Sequence, residues 1–474
     1  MRIIKLIKRL ASFGRLNETG PEVLLVMPPP WDVDQPPLGI AYLTSALKGK
    51  NISVQQRDLS AELYQALPNE DKELIVNTDP HIWVESFEEK VHPKIEPYLS
   101  RWVAELAGSD AKIVGISVFY VNKQCAIRLA KGIKEIAPEK TIIFGGPETA
   151  RYGEGLNFIK EDYVDYVVPD EGEESMAELS ARLLNKNSTP IEDIKGVLLK
   201  KEGSIIDTGQ RPMIRRLDSI PLPSMDGFKP ENYREFTIPI LASRGCINKC
   251  SFCSEHIYWK YYRFRSGESI YREFKKQSAD LNHKSFYIVD SLINGNINEL
   301  EKMCDLMIQD KSMEVYWGGK VSIRKEMTEH ILRKMYLAGC RPIVYGIESA
   351  SPKVLKDMNK NITPELASRV LYDSKKAGLT IGTFWIIGFP TESEEDFQMT
   401  LDFLKDNKDS IDIATPGKGC GILPGTSLHM HPEKYGIHLD GNGGWHSDLV
   451  NPEIISKRIG RFISHCRDNN IQIG

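Results

Sequence analysis

Long apolar runs are missing from this 474-residue chain. No stretch approaches the roughly 18 residues a membrane-spanning helix needs. Charge of one sign is missing too. The 61 Lys and Arg are balanced by 65 Asp and Glu, a net −4, which argues against a nucleic-acid groove as the main business of the chain. Cysteine is scarce, with eight residues, too few for a disulfide scaffold. The nucleotide fingerprints are absent: no G-x-G-x-x-G follows the first predicted strand, and no G-x-x-x-x-G-K-S/T occurs. Apolar residues at 41% and charged residues at 27% are ordinary for globular protein, so long disorder is not expected. At roughly 150 residues per domain the length allows about three domains, or fewer if one is a barrel.

What is present begins with a basic amphipathic segment, residues 1–20. Ile3, Leu6, Ile7 and Leu10 repeat at helical spacing, with Arg2, Lys5, Lys8 and Arg9 on the other face. It lacks the apolar h-region of a signal peptide, and the chain reads as cytoplasmic. Such a helix either docks on the body of the protein or makes peripheral contact with an anionic membrane.

Short apolar runs at 22–27, 53–57, 111–117, 141–144 and 164–168 alternate with helical patterns at 38–48, 122–136 and 173–184. Near-continuous apolar strands between helices predict a doubly wound parallel α/β domain over residues 21–190. Ligands of such sheets bind beyond the carboxyl ends of the strands. The residues there are the stiff loop Pro28 to Gly39 with Leu38, then Ser117, Phe119 and Tyr120, then Gly145, Gly146 and Pro147, then Glu171, Gly172 and Glu173. Four such loops on one edge suit a large flat or phosphate-bearing ligand.

Residues 191–234 read as a small hairpin around 201–204 and a Pro-rich connector. A second α/β series follows over 235–430. Strands are predicted at 238–242, 285–289, 314–318, 341–346, 380–387 and 411–415, and helices at 267–281, 297–309, 328–338, 364–377 and 395–405. This is a partial (β/α)6 barrel with its site at the carboxyl ends. The polar residues there are Asp290, Ser322, Arg324, Glu348, Ser349 and Gly388. Arg324 and Asp290 singly also read as surface ion pairs.

Three of the eight cysteines, Cys246, Cys250 and Cys253, crowd into eight residues after the first of these strands, spaced C-x-x-x-C-x-x-C. Zinc sites bring four ligands, commonly as two pairs, and no second pair follows here. Three soft thiolates suit an iron–sulfur cluster with one iron left open for a substrate.

This motif, with Phe252 before its last cysteine, resembles the signature of the radical S-adenosylmethionine (radical SAM) superfamily. Ser243-Arg244-Gly245 and residues 263–266 resemble the flanks of its cobalamin-dependent branch. GIES (346–349) and GFPTE (388–392) resemble that superfamily's S-adenosylmethionine-holding motifs. Segments 36–48, 114–117, 142–150 and 162–174 resemble the branch's cobalamin-binding domain.

The resemblance implies three cofactors. A 4Fe-4S cluster would sit on Cys246, Cys250 and Cys253. S-adenosylmethionine would sit near Phe252, Asp290, Ser322, Arg324, Glu348, Ser349 and Gly388. Cobalamin would sit on the four loops of the first domain. It implies an enzyme that generates a 5′-deoxyadenosyl radical and methylates an unactivated carbon of a small or lipid-like substrate, fed by an external one-electron reductant of ferredoxin or flavodoxin type. The alternatives are a non-methylating cyclase or rearrangement enzyme on the same cofactors, or a non-catalytic metal- or cobalamin-binding protein. One departure stands out: no D-x-H-x-x-G follows the first strand, so no His is expected below the cobalt, and His81 reads as a surface or packing residue. Cys420, near Lys418 at the barrel rim, is a candidate for facing substrate or relaying a hydrogen atom. Residues 431–474 read as a substrate-shaping cap with a final helix.

Overall fold

The computed structural model describes residues 20–151, 153–440 and 444–474. The basic amphipathic segment lies outside the described residues. Two compact units emerge, divided near residues 215–238.

In the first unit, β1 (Val23–Met27), β2 (Val54–Asp58), β3 (Ile113–Ser117), β4 (Thr141–Gly145) and β5 (Tyr166–Val168) pair in parallel in the order β2-β1-β3-β4-β5. Leu24, Val26, Val114, Ile116, Ile142 and Phe144 enter one core with Ile95, Leu99 and Trp102 of α3 (His92–Gly108) and Leu129 and Ile133 of α4 (Lys123–Ile136). The alternate residues Val23, Leu25, Ile113 and Ile143 are equally buried and face the other layer. There α1 (Leu38–Lys48) packs with α5 (Gly172–Leu183); α2 (Leu59–Ala66) follows β2, its first N–H groups capped by Asp58. Burial on both faces is why these strands read as apolar runs rather than alternations. The strand order reverses between β1 and β3, so their carboxyl ends open a crevice.

A hairpin of β6 (Leu198–Lys201) and β7 (Ser204–Asp207) adds antiparallel to β5, giving seven strands among the described residues. The connector lies on this same unit: Gln56 Nε2 donates to Ser224 O at 2.9 Å, and Gly227 N–H to Gln56 Oε1 at 2.8 Å.

The second unit is a parallel sheet in the order β18-β15-β14-β13-β12-β11-β8. Its strands are β8 (Ile238–Ile240), β11 (Ser285–Ile288), β12 (Tyr316–Val321), β13 (Cys340–Glu348), β14 (Thr380–Ile387), β15 (Ile413–Lys418) and β18 (Gln472–Ile473). A two-stranded ribbon, β9 (Ser243–Arg244) with β10 (Arg263–Phe264), follows β8, and a second, β16 (Ile437–Leu439) with β17 (Trp445–Ser447), follows β15. The crossovers are α6 (Gly267–Leu281), α7 (Ile297–Gln309), α8 (Glu329–Leu337), α9 (Pro364–Ala377) and α10 (Glu394–Asp406). Trp317 packs on Phe274 of α6, Tyr345 Oη meets Ser374 Oγ of α9 at 2.9 Å, and Trp385 packs on Phe403 of α10. Those residues face the helices, and Ser322, Glu348 and Gly388 stand at the carboxyl ends of the same three strands. The C-terminal segment joins the sheet of this unit. Its helix α11 (Pro452–Asp468) sets Phe462 against Trp385 and returns the chain as β18 beside β15.

Candidate active site

The cysteine loop starts from a strand end held on several sides. Asp290, buried after β11, accepts from Ala242 N–H at 2.8 Å and from Ser243 Oγ at 2.5 Å. Burial pushes its carboxyl up to about 7, against the pull of those two donors. Arg265 donates to Leu241 O at 2.9 Å and forms an ion pair with Glu273 inside the barrel wall. Further along, Ser251 N–H donates to Met358 O at 2.9 Å, Asn359 Nδ2 to Lys249 O at 2.7 Å, and Leu428 N–H to Ser251 O at 3.2 Å.

On this frame Cys246, Cys250 and Cys253 are free thiols. Burial pushes Cys250 up to about 11 and raises the other two, and each thiol also feels at least one of its companions or the nearby carboxylates. The ammonium of Lys360 opposes these shifts at all three. Among the described residues no three His, Cys, Asp or Glu side chains are arranged to hold a single metal ion. Three soft thiols on one rigid loop, with a cation beside them, are instead a donor set for the corners of an iron–sulfur cube.

Lys360 is a residue the motif reading missed. Its Nζ lies 2.7 Å from Glu348 Oε1, and both side chains are largely buried. Glu348 has φ +71°, a left-handed conformation costly for a residue with a side chain. Ser322 takes Asn294 Oδ1 on its N–H at 2.9 Å, and its hydroxyl accepts from Asn248 Nδ2 at 3.3 Å, which links it to the cysteine loop. Arg324 donates to Asn294 O and Gly295 O and borders an open cleft of about 370 Å³ lined also by Tyr262, Phe264, Asn296 and Glu326. Phe252 packs with Phe389, Met358, Leu428 and Cys420. Asp290 and Ser349 are turned inward instead: Ser349 is fully buried and its hydroxyl accepts from Ser351 N–H at 3.1 Å. Both shape the site through backbone.

Cys420 sits in the apolar cluster of Phe252, Phe389 and Tyr435, and its carbonyl accepts from Trp445 Nε1 at 2.8 Å. Burial pushes its thiol up to about 12. Desolvation thus keeps this thiol protonated although Lys418 is near it in sequence.

In the first unit the crevice at the strand-order reversal is built around Asn122. This fully buried side chain donates to Pro28 O and Ser117 O at 3.3 Å each and accepts from Phe119 N–H at 2.8 Å. It ties the loops after β1 and β3 together. Trp31 and Phe119 meet there with ring centroids 4.4 Å apart. The Trp31 indole N–H is buried without a partner among the described residues, a donor waiting for an acceptor. A Cβ on Gly39, at the start of α1, would meet nothing within 4 Å, so space lies open over Leu38 and Gly39. Gly146 has φ +101°, and a Cβ there would lie 2.7 Å from Val118 O, so only glycine lets the Gly145-Gly146-Pro147 turn cross β3. Glu171 accepts from Ile214 N–H at 3.0 Å, and Gly172 and Glu173 open α5 beside it. Tyr120 is exposed beneath the Lys123 ammonium. An open, aromatic-walled crevice with an unanswered donor fits a large planar ligand with polar arms. His81 lies on the surface, paired with Glu85.

The family model of the Radical SAM superfamily matches residues 240–404, the span from β8 to α10. An uncharacterized methyltransferase of Pyrococcus horikoshii is 31% identical over 329 residues, covering 67% of this chain and 69% of that protein. Among solved structures, the radical S-adenosylmethionine methyltransferase TsrM from Kitasatospora setae, with cobalamin and a 4Fe-4S cluster bound, superposes with a TM-score of 0.65 at 16% identity, covering 89% of this chain and 80% of that one. The cobalamin-dependent S-adenosylmethionine radical enzyme OxsB, with aqua-cobalamin and S-adenosylmethionine bound, gives 0.69 at 16% identity, covering 98% of this chain and 71% of that one. A cysteine triad on the first strand-end loop of a parallel α/β unit that follows a parallel sheet domain along the chain thus has a shared ancestry to explain it: the chain belongs to the radical SAM superfamily and has the fold of its cobalamin-dependent enzymes.

Proposed function

We propose that this protein is a cobalamin-dependent radical SAM methyltransferase acting on an unactivated carbon of a small or lipid-like molecule. The observation that carries the reading is the free thiol triad with Lys360, itself paired with Glu348, acting on it, and with Ser322 tied to the cysteine loop through Asn248. When bound, the cluster and S-adenosylmethionine supply a carbon-centred radical and cobalamin supplies a transferable methyl group.

The chain's own part is binding and exclusion of water. Cys246, Cys250 and Cys253 hold the cluster, and Lys360 lowers the cost of keeping three sulfurs ionised together. Phe252, Ser322, Arg324, Glu348 and Gly388 border S-adenosylmethionine, while Asp290 and Ser349 fix the backbone on which those residues stand. In the first unit Leu38, Gly39, Ser117, Phe119, Tyr120, the 145–147 turn and the 171–173 turn cradle cobalamin, with Trp31 Nε1 as an additional donor. Cys420, a neutral thiol in an apolar wall, keeps its hydrogen and is suited to give it to a radical rather than to act as a base. The reductant is a ferredoxin- or flavodoxin-type protein. Among the described residues no helix is long and apolar enough to cross a membrane.

Anaerobic purification tests the reading. The expected protein is brown, holds four irons and releases 5′-deoxyadenosine from S-adenosylmethionine under a strong reductant, and trideuteromethyl label from S-adenosylmethionine enters a product. Cys250→Ala should lose iron and cleavage and keep hydroxocobalamin binding. A colourless, zinc-containing protein would reject radical chemistry, and unlabelled product with full turnover would reject methyl transfer.

A further inference from the structure

The last helix of the chain reaches back to the GFPTE loop (388–392), one of the two that resemble S-adenosylmethionine-holding motifs. Gly388 follows β14 with φ +89°, and a Cβ there would lie 2.5 Å from Cγ1 of Ile455 on α11. Its N–H donates to Glu392 Oε2 at 2.8 Å. Glu392 is fully buried, and its other oxygen has no partner among the described residues. The counter-ion comes from α11. Arg458, itself buried, donates through Nη1 to the same Glu392 Oε2 at 3.1 Å and to the Glu392 carbonyl at 3.2 Å. Its Nε reaches Glu394 at 3.3 Å, and the guanidinium rests 5.6 Å from the Phe397 ring centroid. Ile455 touches a second strand end as well, since a Cβ on Gly419 after β15 would lie 3.0 Å from its Cδ1.

We propose that Arg458 is a positioning residue of the S-adenosylmethionine site, acting through Glu392 on the backbone of Gly388. The proposal rests on the functional reading above, in which Gly388 borders that ligand. A buried ion pair is weak evidence for stability, because apolar side chains of similar size fill such a place at no greater cost. What an apolar pair cannot do is present a charged acceptor to one backbone N–H. Burial already pushes the Glu392 carboxyl up to about 7 with Arg458 in place. Without that guanidinium the carboxyl takes up a proton, and the hydrogen bond to Gly388 loses its charge assistance. The Gly388 turn then drifts, and with it the edge on which the ligand sits. Ile455 limits the drift from the other side, by contact with Gly388 and Gly419 together.

The test is equilibrium dialysis of S-adenosylmethionine against the anaerobically reconstituted full chain, alongside initial rates of 5′-deoxyadenosine release. Arg458→Met should weaken Kd about tenfold, the loss of one charge-assisted contact. It should raise KM by a similar factor and hold kcat within about threefold, with four irons retained. Arg458→Lys should recover most of the affinity. Glu392→Gln combined with Arg458→Met should bind no more weakly than the weaker single variant, because both act on one contact. Parent-like Kd in Arg458→Met, or additive losses in the double variant, would reduce the pair to a structural brace and overturn the proposal. Should Arg458→Met not fold, Ile455→Ala decides: a Kd at least threefold weaker supports the proposal, and an unchanged Kd rejects it. Failure of the parent to bind S-adenosylmethionine sinks the functional reading itself, whereas variants equal to a binding parent sink the positioning role alone.

Discussion

Replacing Asp290 by Ala should loosen the strand end that launches the cysteine loop. Asp290 is 2% exposed and answers two donors, the Ala242 N–H and the Ser243 hydroxyl. Truncation strands a buried backbone N–H, at about 1–3 kcal/mol, and removes one further hydrogen bond of about 1 kcal/mol. Asp290→Ala therefore costs about 2–4 kcal/mol locally, a 30- to 1000-fold rise in opening of this segment. Asp290→Asn keeps an acceptor for Ala242 and lets the Ser243 hydroxyl rotate to accept, so it costs about 1 kcal/mol. Hydrogen exchange of a peptide spanning residues 239–245, read by mass spectrometry, separates the two. Asp290→Ala should also retain less iron after reconstitution, in the same order. Exchange within threefold of the parent in Asp290→Ala would refute the argument that this carboxylate holds the strand end. The ionisation adds a sign. Burial raises the folded carboxyl to about 7, above its unfolded value. The stability linked to this group is thus present at low pH and declines as pH rises from about 4 to 7. Asp290→Asn, which cannot ionise, should gain on the parent over that window.

Asp396 carries the opposite sign. Lys353, Ser351 and the Ser393 capping box hold it ionised, down to about 2 despite partial burial. Its contribution is complete above its unfolded value near 4 and is lost as pH falls toward 2. Acid titration by circular dichroism should show Asp396→Asn shedding helix signal at higher pH than the parent, and coincident curves would reject this. Asn122→Ala should weaken hydroxocobalamin binding by about tenfold, since it frees two carbonyls and one N–H that join the crevice loops. Unchanged visible-spectrum titrations would dissociate Asn122 from the ligand.

The sequence was most legible where one residue type has one physical use. The thiol triad, the apolar parallel strands and the strand-end glycines need no tertiary information. Legibility ended where partners come from distant elements. Lys360 stands twelve positions past Glu348, in a turn with no motif of its own, and only the fold brings the two to 2.7 Å. Arg458 pairs with Glu392 across 66 residues. Asn122 reads as an ordinary helix start, yet its side chain spans two loops rather than capping α4. Strand β12 is offset from its prediction at 314–318: it starts at Tyr316 and runs through Gly318-Gly319 to Val321. A Cβ on Gly319 would lie 2.9 Å from Ile288 O, so the glycine serves close strand approach instead of a bend. Likewise, Cys420 was judged from a neighbouring charge in sequence, whereas burial governs its thiol.

The β6–β7 hairpin carries one more implication. A parallel sheet that stopped at β5 would leave the apolar Val167 and Val168 on a bare rim, with backbone groups free to recruit another chain. The hairpin moves that rim outward to Ser204–Asp207, short, mostly exposed, ending on Asp207 and starting beside Lys201. At the opposite rim β2 carries Arg57, bound to Glu62 and Glu105. Both borders of the sheet thus end in charge, which discourages polymerisation by edge pairing.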